Sequence, residues 1–349
     1  MRLFLTGIGL FLAAQVLVWA VIAPRRVAAS PAVAAGVEAV TPGELTGTLL
    51  LGGFRGLACD LLWMRADGAK EAGRFYESVA LFEGISRIQP RFEQPWQYMA
   101  WDLAYNLSHE VDDRRAKWAW ILAGIKTGVR GCERNPQSIR LLTHLAWIFH
   151  HKGDLFHEEI EGVSWAGLLN PLLERVNRQS GSAHQVPLIP EGPGRGNFVI
   201  AAHLYGACVA LGDGRDGGAL RAQFIRRMIP LGLESDGNLQ RNRGLHLVAF
   251  RRYLESLRAW EHVIAWATSA PRDDTESNQR RVARESYERN EGRLRRKAAA
   301  LATALAPADL AESVSAALLA RQWSTVDEAL KRGGWTETKR AGHIRWLDE

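Results

Sequence analysis

The sequence predicts an all-α protein, built from tandem antiparallel helix-turn-helix pairs that follow an N-terminal transmembrane helix. No alternating β-branched run long enough for a strand stands out, and Gly, Pro and Asp clusters separate segments of helical period. Several of the 13 tryptophans lie inside helix-favouring segments. Large rings at such positions fill the grooves between packed helices. These three observations favour helix-on-helix packing.

The composition is that of a globular protein. The chain has 349 residues, of which 47% are hydrophobic and 23% charged, enough for one or two sizeable cores. The formal net charge is +6, but much of the basic excess after residue 214 is interleaved with acidic residues. That pattern favours a solvated surface over a nucleic-acid-binding face. We therefore expect no nucleic-acid partner.

The cysteines exclude two classes of small fold. Cys59, Cys132 and Cys208 are far apart and form no C-x-x-C pair. Both a disulfide scaffold and a zinc ribbon need several closely spaced cysteines. The sequence therefore predicts buried free thiols.

The first residues predict a membrane anchor. LFLTGIGLFLAAQVLVWAVIA, from Leu3 to Ala23, contains 21 residues without a charge. A helix of this length spans about 31 Å, which matches the apolar thickness of a bilayer. A cleaved signal peptide is the alternative, with Val27-Ala28-Ala29 as its cleavage site. The long apolar core and the Pro24-Arg25-Arg26 that follows favour an uncleaved, single-pass anchor of the bacterial inner-membrane type.

The positive-inside rule leaves both orientations open, because Arg2 and the amino terminus balance Arg25 and Arg26. The predicted organisation has four parts. Residues 1–23 are the anchor, 24–46 an Ala/Pro-rich linker, 47–270 a helical repeat domain, and 271–349 charged helices with a small helical hairpin. The charged stretch from Asp273 to Pro307 is expected to be a solvated or partner-bound helix.

GRFYESVALFEGISRIQP, residues 73–90, carries a repeat motif. Gly73 is placed at a turn, Ser78 at a small position, Phe82 one helical turn later, and Pro90 at the helix end. A small residue lets a paired helix approach, the aromatic ring fills the gap, and proline stops the helix. This stretch resembles the second half of a tetratricopeptide repeat.

The next repeat is expected to begin soon after Pro90. Trp96 stands six residues on, and Met99, Ala100 and Leu103 continue the W-x-x-L-G-x-x-Y spacing of the same family. The pattern recurs 46 residues later, with an Asn135-Pro136 stop before it. Its members are Leu142, Leu145, Ala146 and Phe149.

The period of 46 residues exceeds the usual 34 of this family. We expect the surplus to form a loop around residues 107–117. In the second helix of that repeat, Gly124, Gly128 and Gly131 form a stripe of small residues. Such a stripe predicts the close approach of a neighbouring helix.

The stretch LAWIFHHKGDLFHEE, residues 145–159, has two interpretations. The repeat pattern makes it the end of a first helix and its turn, with His150 and His151 near the helix C-terminus. The alternative is a metal site formed by His150, Asp154, His157 and Glu158, although the spacing matches no closed motif such as H-E-x-x-H. The repeat interpretation predicts no metal.

The resemblance implies a concave surface that binds protein or peptide partners, without catalysis, cofactor or identified small-molecule substrate. The alternative function is that of a metal-binding protein or metal-dependent enzyme centred on residues 150–158. Family grooves use polar groups one turn from the packing positions of the first helices. By that analogy the candidate contacts are Gln97, Asp102, Asn106, Arg140 and His144.

Overall fold

The computed structural model describes residues 55–152, 163–180, 185–189, 196–212, 218–269, 274–332 and 334–335. In these ranges all regular structure is helical and no strand occurs, so the predicted all-α class is confirmed. None of the helices within them is long and apolar enough to cross a membrane. The predicted anchor at Leu3 to Ala23 and the linker lie outside the described residues.

Twelve α-helices and one π-helical segment make up this part of the chain. They are α1 (Arg55–Glu71), α2 (Phe75–Ile88), α3 (Glu93–Trp101), the π segment (Asp102–Leu107), α4 (Arg114–Arg134), α5 (Ile139–His151), α6 (Trp165–Ser180), α7 (Asn197–Ala210), α8 (Gly218–Asn242), α9 (His246–Thr268), α10 (Asp274–Leu305), α11 (Ala311–Leu319) and α12 (Trp323–Arg332).

The chain divides into two compact units, unit 1 up to Arg134 and unit 2 from Asn135. In unit 1, α1 packs chiefly on α2, and α3 with the π segment packs on α4. These contacts are those expected of two successive helix-turn-helix pairs. The packing is compatible with a helical repeat.

The repeat motif of unit 1 has the predicted local structure. Gly73 takes a φ of +71°, and its N–H donates to the carbonyl of Lys70 while Arg74 N–H donates to Ala69, which is the hydrogen-bond pattern of a glycine helix stop. Ser78 and Phe82 have no exposed surface. The chain therefore reverses at the predicted turn and buries the predicted small-aromatic pair.

Close approach of two helices occurs at Gly124, as its place in the glycine stripe predicted. A Cβ atom built on Gly124 would lie 2.7 Å from the carbonyl oxygen of Ala100 and 2.9 Å from Cβ of Ala104. Distances this short leave no room for a side chain between α3 and α4. Ala100, which is itself fully buried, thus lies where the neighbouring helix comes closest.

The surplus residues of the long repeat do not form the expected loop, and that prediction was wrong. The first helix instead continues past Trp101 through the π segment, and α4 is 21 residues long. Only four residues, 110–113, separate the helical stretches. A π turn accommodates an inserted residue without ending the helix. The extra length is therefore taken up inside helices.

In unit 2, α5 packs antiparallel against α7, two helices further along the chain. Asn197 at the start of α7 donates from Nδ2 to the carbonyl of Phe149 at 2.7 Å, and Thr143 Oγ1 lies 3.5 Å from Cys208 Sγ near the other end. The repeat pattern predicts a partner helix directly after the turn that follows α5, and residues 153–162 lie outside the described residues. The principal neighbour of α5 among the described helices is α7.

The C-terminal helices share one hydrophobic core with α9. Buried residues of this core extend from Ala249 on α9 to Ala329 on α12. Arg295 of α10 is 4% exposed and donates to Glu291, to Glu261 of α9 and to the carbonyl of Leu318. The domain boundary expected after residue 270 therefore falls inside this core, and the second half of the charged helix is packed.

The three cysteines have the predicted state. Cys59, Cys132 and Cys208 are free and buried. Burial raises the pKa of the Cys59 thiol, with the Arg55 charge opposing the shift. Such a thiol stays protonated and behaves as a small apolar side chain.

Candidate partner-binding surface

Aromatic side chains line one face of the helix formed by α3 and the π segment. Tyr98 is 36% exposed and Trp101 37% exposed, and the ring of Trp101 stacks on that of Tyr105 with centroids 4.0 Å apart. Residues three to four positions apart share one side of a helix. Half-buried Gln97 and Asn106 flank the rings. We call these five residues the α3 face.

The α3 face rests on a packed aromatic cluster. Tyr98 stacks on the fully buried ring of Phe82, with centroids 5.3 Å apart, and meets Trp63 edge-on at the same separation. Trp63 in turn makes an edge contact with Phe82 at 5.1 Å. Such contacts add to the stability that area burial gives and fix the ring planes. The contacts with Phe82 and Trp63 therefore fix the position of the partly exposed Tyr98 ring.

An ion pair lies beside these rings. Lys70 Nζ of α1 is 3.1 Å from Asp102 Oδ1, and the Asp102 side chain has no exposed surface. The carboxylate also accepts from Asn106 Nδ2 at 2.7 Å and from Ser78 Oγ at 3.4 Å. Lys70 Nζ lies 4.6 Å from the centre of the Tyr98 ring. Three helical segments thus supply the four polar groups.

The electrostatics of this cluster are those of a buried charge whose partners offset the cost of burial only in part. Burial raises the pKa of the Asp102 carboxyl above its ordinary value, while Lys70 and the hydrogen bonds from Asn106 and Ser78 oppose that shift. Because Lys70 is paired with Asp102, the two charges cancel locally. The surface next to Tyr98 therefore presents rings and amides with little net charge.

The predicted contact residues occupy different environments. Gln97 and Asn106 are on the α3 face, and Arg140 on α5 of unit 2 is half-buried. Asp102 has no exposed surface and His144 is 9% exposed. The Asp102 carboxylate is paired with Lys70 and has no exposed surface, so it cannot contact a partner directly. Partner contact by the other four residues stays a prediction.

Of the alternative metal ligands, only His150 is described, since Asp154, His157 and Glu158 lie outside the described residues. Across the parts of the chain that the structure describes, no group of three or more potential ligand side chains converges. His150 is half-buried, its ring 5.3 Å from Phe198 and 6.2 Å from Trp147. His151 stacks on Trp147 at 5.4 Å and is exposed. Both histidines lie at the predicted C-terminal end of the helix, but only His151 is exposed there.

The aromatic members of the α3 face and Lys70 were not among the contact residues predicted from the sequence. Tyr98, Trp101 and Tyr105 recur at intervals of three and four residues, which is a helical stripe visible in the sequence. Aromatic residues at helical spacing are more often core residues, so the stripe alone did not indicate a surface. Lys70 carried no sequence signal, because its pairing with Asp102 depends on the packing of both α1 and the π segment against α2.

Comparison with known proteins adds no relative. No protein-family model, no curated protein and no solved structure matches this chain.

Proposed function

We propose that this protein is a membrane-anchored, tetratricopeptide-like scaffold that binds a polypeptide partner on the α3 face. One observation carries the proposal. Tyr98 and Trp101 are each more than one third exposed, although both are rigidly stacked on neighbouring rings. A fixed aromatic ring that stays partly in water is typical of the residues that dominate binding energy at protein interfaces.

The polar groups define the kind of partner. Gln97 supplies an amide donor and acceptor at one end of the α3 face, suited to the backbone of an extended peptide. At the other end Asn106 donates from Nδ2 to Asp102 and contributes its amide oxygen as an acceptor. Lys70 is already paired with Asp102 at 3.1 Å, so its charge is not offered to an acidic ligand. We therefore propose an uncharged stretch of polypeptide with apolar or aromatic side chains as the partner. No reaction is assigned.

The proposed location is a membrane, with Leu3 to Ala23 as the uncleaved anchor. Its support is the uncharged length of 21 residues. The test is an alkaline wash of membranes followed by N-terminal analysis of the mature protein. We expect the intact chain in the membrane pellet. A mature chain that begins near Ser30 would show that the segment is a signal peptide.

The binding test compares two aromatic substitutions in unit 1. Affinity capture is performed from gently solubilised membranes with wild type, Trp101→Ala and Tyr76→Ala. Tyr76 is the matched control, because it is an aromatic residue of α2 that is 62% exposed and meets Trp120 of α4 edge-on at 5.5 Å. Partners captured by wild type and Tyr76→Ala but absent from Trp101→Ala are then purified and titrated directly.

We expect Trp101→Ala to weaken the titrated complex by at least about tenfold, which corresponds to roughly 1.4 kcal/mol, a modest value for an aromatic hot spot. Circular dichroism of both variants verifies that the fold persists. Equal binding by wild type and a folded Trp101→Ala protein would disprove a partner site on the α3 face.

A further inference from the structure

A cavity of about 540 Å³ lies within unit 2, between helices α7, α8 and α9 and the segment 185–189. This volume is within the range of small-molecule sites. The contribution of α7 comes from one helical face, where Val199, Ala202, Gly206 and Val209 line the cavity at intervals of three and four residues. Apolar groups also dominate the other walls, as in most ligand pockets.

The wall formed by segment 185–189 is fixed by two asparagines of α6. Asn177 donates from Nδ2 to the carbonyl of Val186 at 2.9 Å and accepts from its N–H at 2.7 Å. Asn170 makes the same pair of bonds with the backbone of Ile189, both at 2.8 Å. Val186 and Ile189 are buried. A segment held by hydrogen bonds at two points gives the cavity a well-defined wall.

The polar end of the cavity contains Arg252 and Glu255 of α9. Arg252 Nε donates to Asp236 Oδ2 at 2.9 Å, and Asp236 is only 1% exposed. Asp236 is tightly enclosed, since a Cβ on Gly196 would lie 2.3 Å from its Oδ1. This side of the guanidinium is therefore anchored to a carboxylate that has no room to move.

The other side of the guanidinium has an exchangeable partner. Arg252 Nη1 donates to Glu255 Oε2 at 2.6 Å, but the Glu255 side chain is 48% exposed. An ion pair with one exposed member contributes little stability, because water competes for both charges. Glu255 is thus free to rotate into solvent when another carboxylate takes its place on Arg252.

We propose that this cavity binds an amphiphile with a single carboxylate, its apolar chain between α7 and α8 and its carboxylate on Arg252 in place of Glu255. A guanidinium forms its strongest directional bonds with carboxylates. Because one carboxylate replaces another, Arg252 keeps the same number of charged partners. Burial of the apolar chain then supplies the net driving force.

The experiment uses the full chain in detergent and a decanoate that carries a photoreactive diazirine at the chain end. After irradiation, labelled peptides are mapped by mass spectrometry. Unlabelled decanoate, decanol and decylamine serve as competitors at matched concentrations. We expect label on peptides of α7 and α8, displaced by decanoate at a concentration at least about tenfold lower than that needed for decanol or decylamine.

Two substitutions separate binding from folding. Gly206→Leu fills the cavity, since a Cβ there meets nothing closer than Val186 Cγ1 at 3.8 Å, and it should abolish the label. Gly68→Leu in unit 1 is the matched control and should leave the label unchanged, because its Cβ would meet nothing within 4 Å. Glu255→Gln removes the competing carboxylate and should increase the affinity for decanoate severalfold while it reduces competition by decylamine.

Three results would overturn the proposal. They are label that persists in a folded Gly206→Leu protein, decanol that competes as well as decanoate, and a Glu255→Gln protein that binds decanoate more weakly than wild type. The first removes the cavity as the site. The second and third remove the carboxylate as the group that is recognised.

Discussion

Lys70 on α1 and Asp102 in the π segment form an ion pair, with Nζ 3.1 Å from Oδ1, and the Asp102 side chain has no exposed surface. The π turn places Asn106 Nδ2 within 2.7 Å of the same carboxylate. An ionised carboxyl in such a position is tolerated only when it is paired and hydrogen-bonded. The pair therefore ties α1, the first described helix of unit 1, to the helix that carries the α3 face.

Removal of the lysine is expected to be strongly destabilising. Lys70→Met leaves Asp102 buried without its counter-charge, and we expect a loss of about 3–5 kcal/mol in the free energy of unfolding by urea denaturation. Arg65→Met is the matched control on the same helix, since Arg65 is 70% exposed in its pair with Glu77. Arg65→Met should lower the free energy of unfolding by less than about 1 kcal/mol. Equal losses in the two variants would mean that the buried pair contributes no more to stability than the exposed one.

The same pair predicts a pH dependence. Burial raises the pKa of Asp102 in the folded state, so between its unfolded and folded pKa values the folded chain binds more protons than the unfolded chain. Stability should therefore fall as the pH rises through the folded pKa of Asp102. Lys70→Met removes the opposing charge and should make this fall larger, whereas Asp102→Asn should abolish it. Urea titrations across the acidic range measure both effects.

Two glycine-to-alanine substitutions should have opposite signs. Gly124→Ala places a methyl group 2.7 Å from the backbone oxygen of Ala100, and overpacking should destabilise the protein by about 1–3 kcal/mol. Gly68→Ala introduces the same atom where nothing lies within 4 Å, and the better helix propensity of alanine should stabilise it by up to about 1 kcal/mol. Thermal unfolding of the two variants provides the comparison, and stabilisation by Gly124→Ala would contradict the close approach.

His144 on α5 should make the protein less stable in acid. Burial lowers its pKa to about 4, against an ordinary value of 6.5. Between these values the unfolded chain binds a proton that the folded chain does not, so stability is lost as the pH falls from 6.5 towards 4. The full effect is roughly 3 kcal/mol. The control is His144→Gln, whose side chain does not titrate, so its stability should lose this part of the pH dependence. If wild type and His144→Gln show the same dependence of stability on pH, His144 is not the group responsible.

The repeat positions predict a ranking of substitutions. Trp96→Ala removes a nearly buried ring whose Nε1 donates to the carbonyl of Pro90 at 2.8 Å, and should destabilise by about 3–5 kcal/mol. Ala146→Leu overpacks a site with no exposed surface and should cost about 1–3 kcal/mol. His151→Ala, at an exposed position, should cost less than His150→Ala, which loses contact with Phe198. Urea unfolding ranks the four, and the largest loss in His151→Ala would contradict the repeat interpretation.

The sequence by itself determined the helical class, the helix stop at Gly73, the burial of Ser78 and Phe82, and the packing residues of α3 and α5. All of these follow from short-range rules. Helical periodicity places apolar residues on one face, and glycine or proline ends a helix wherever the chain must turn. The sequence also predicted close approach at Gly124, because Gly124, Gly128 and Gly131 form a stripe of small residues along one helix.

Only the tertiary structure decided how the surplus residues of the long repeat are accommodated, which helix α5 packs against, and that α10 shares a core with α9. It also decided the candidate sites. The pair of Lys70 with Asp102 joins residues 32 positions apart, and the cavity wall is clamped by hydrogen bonds between α6 and a segment further along the chain. The sequence pattern around a charged or amide side chain does not identify its partner. The partner is the backbone group or charged side chain that helix packing brings within about 3 Å.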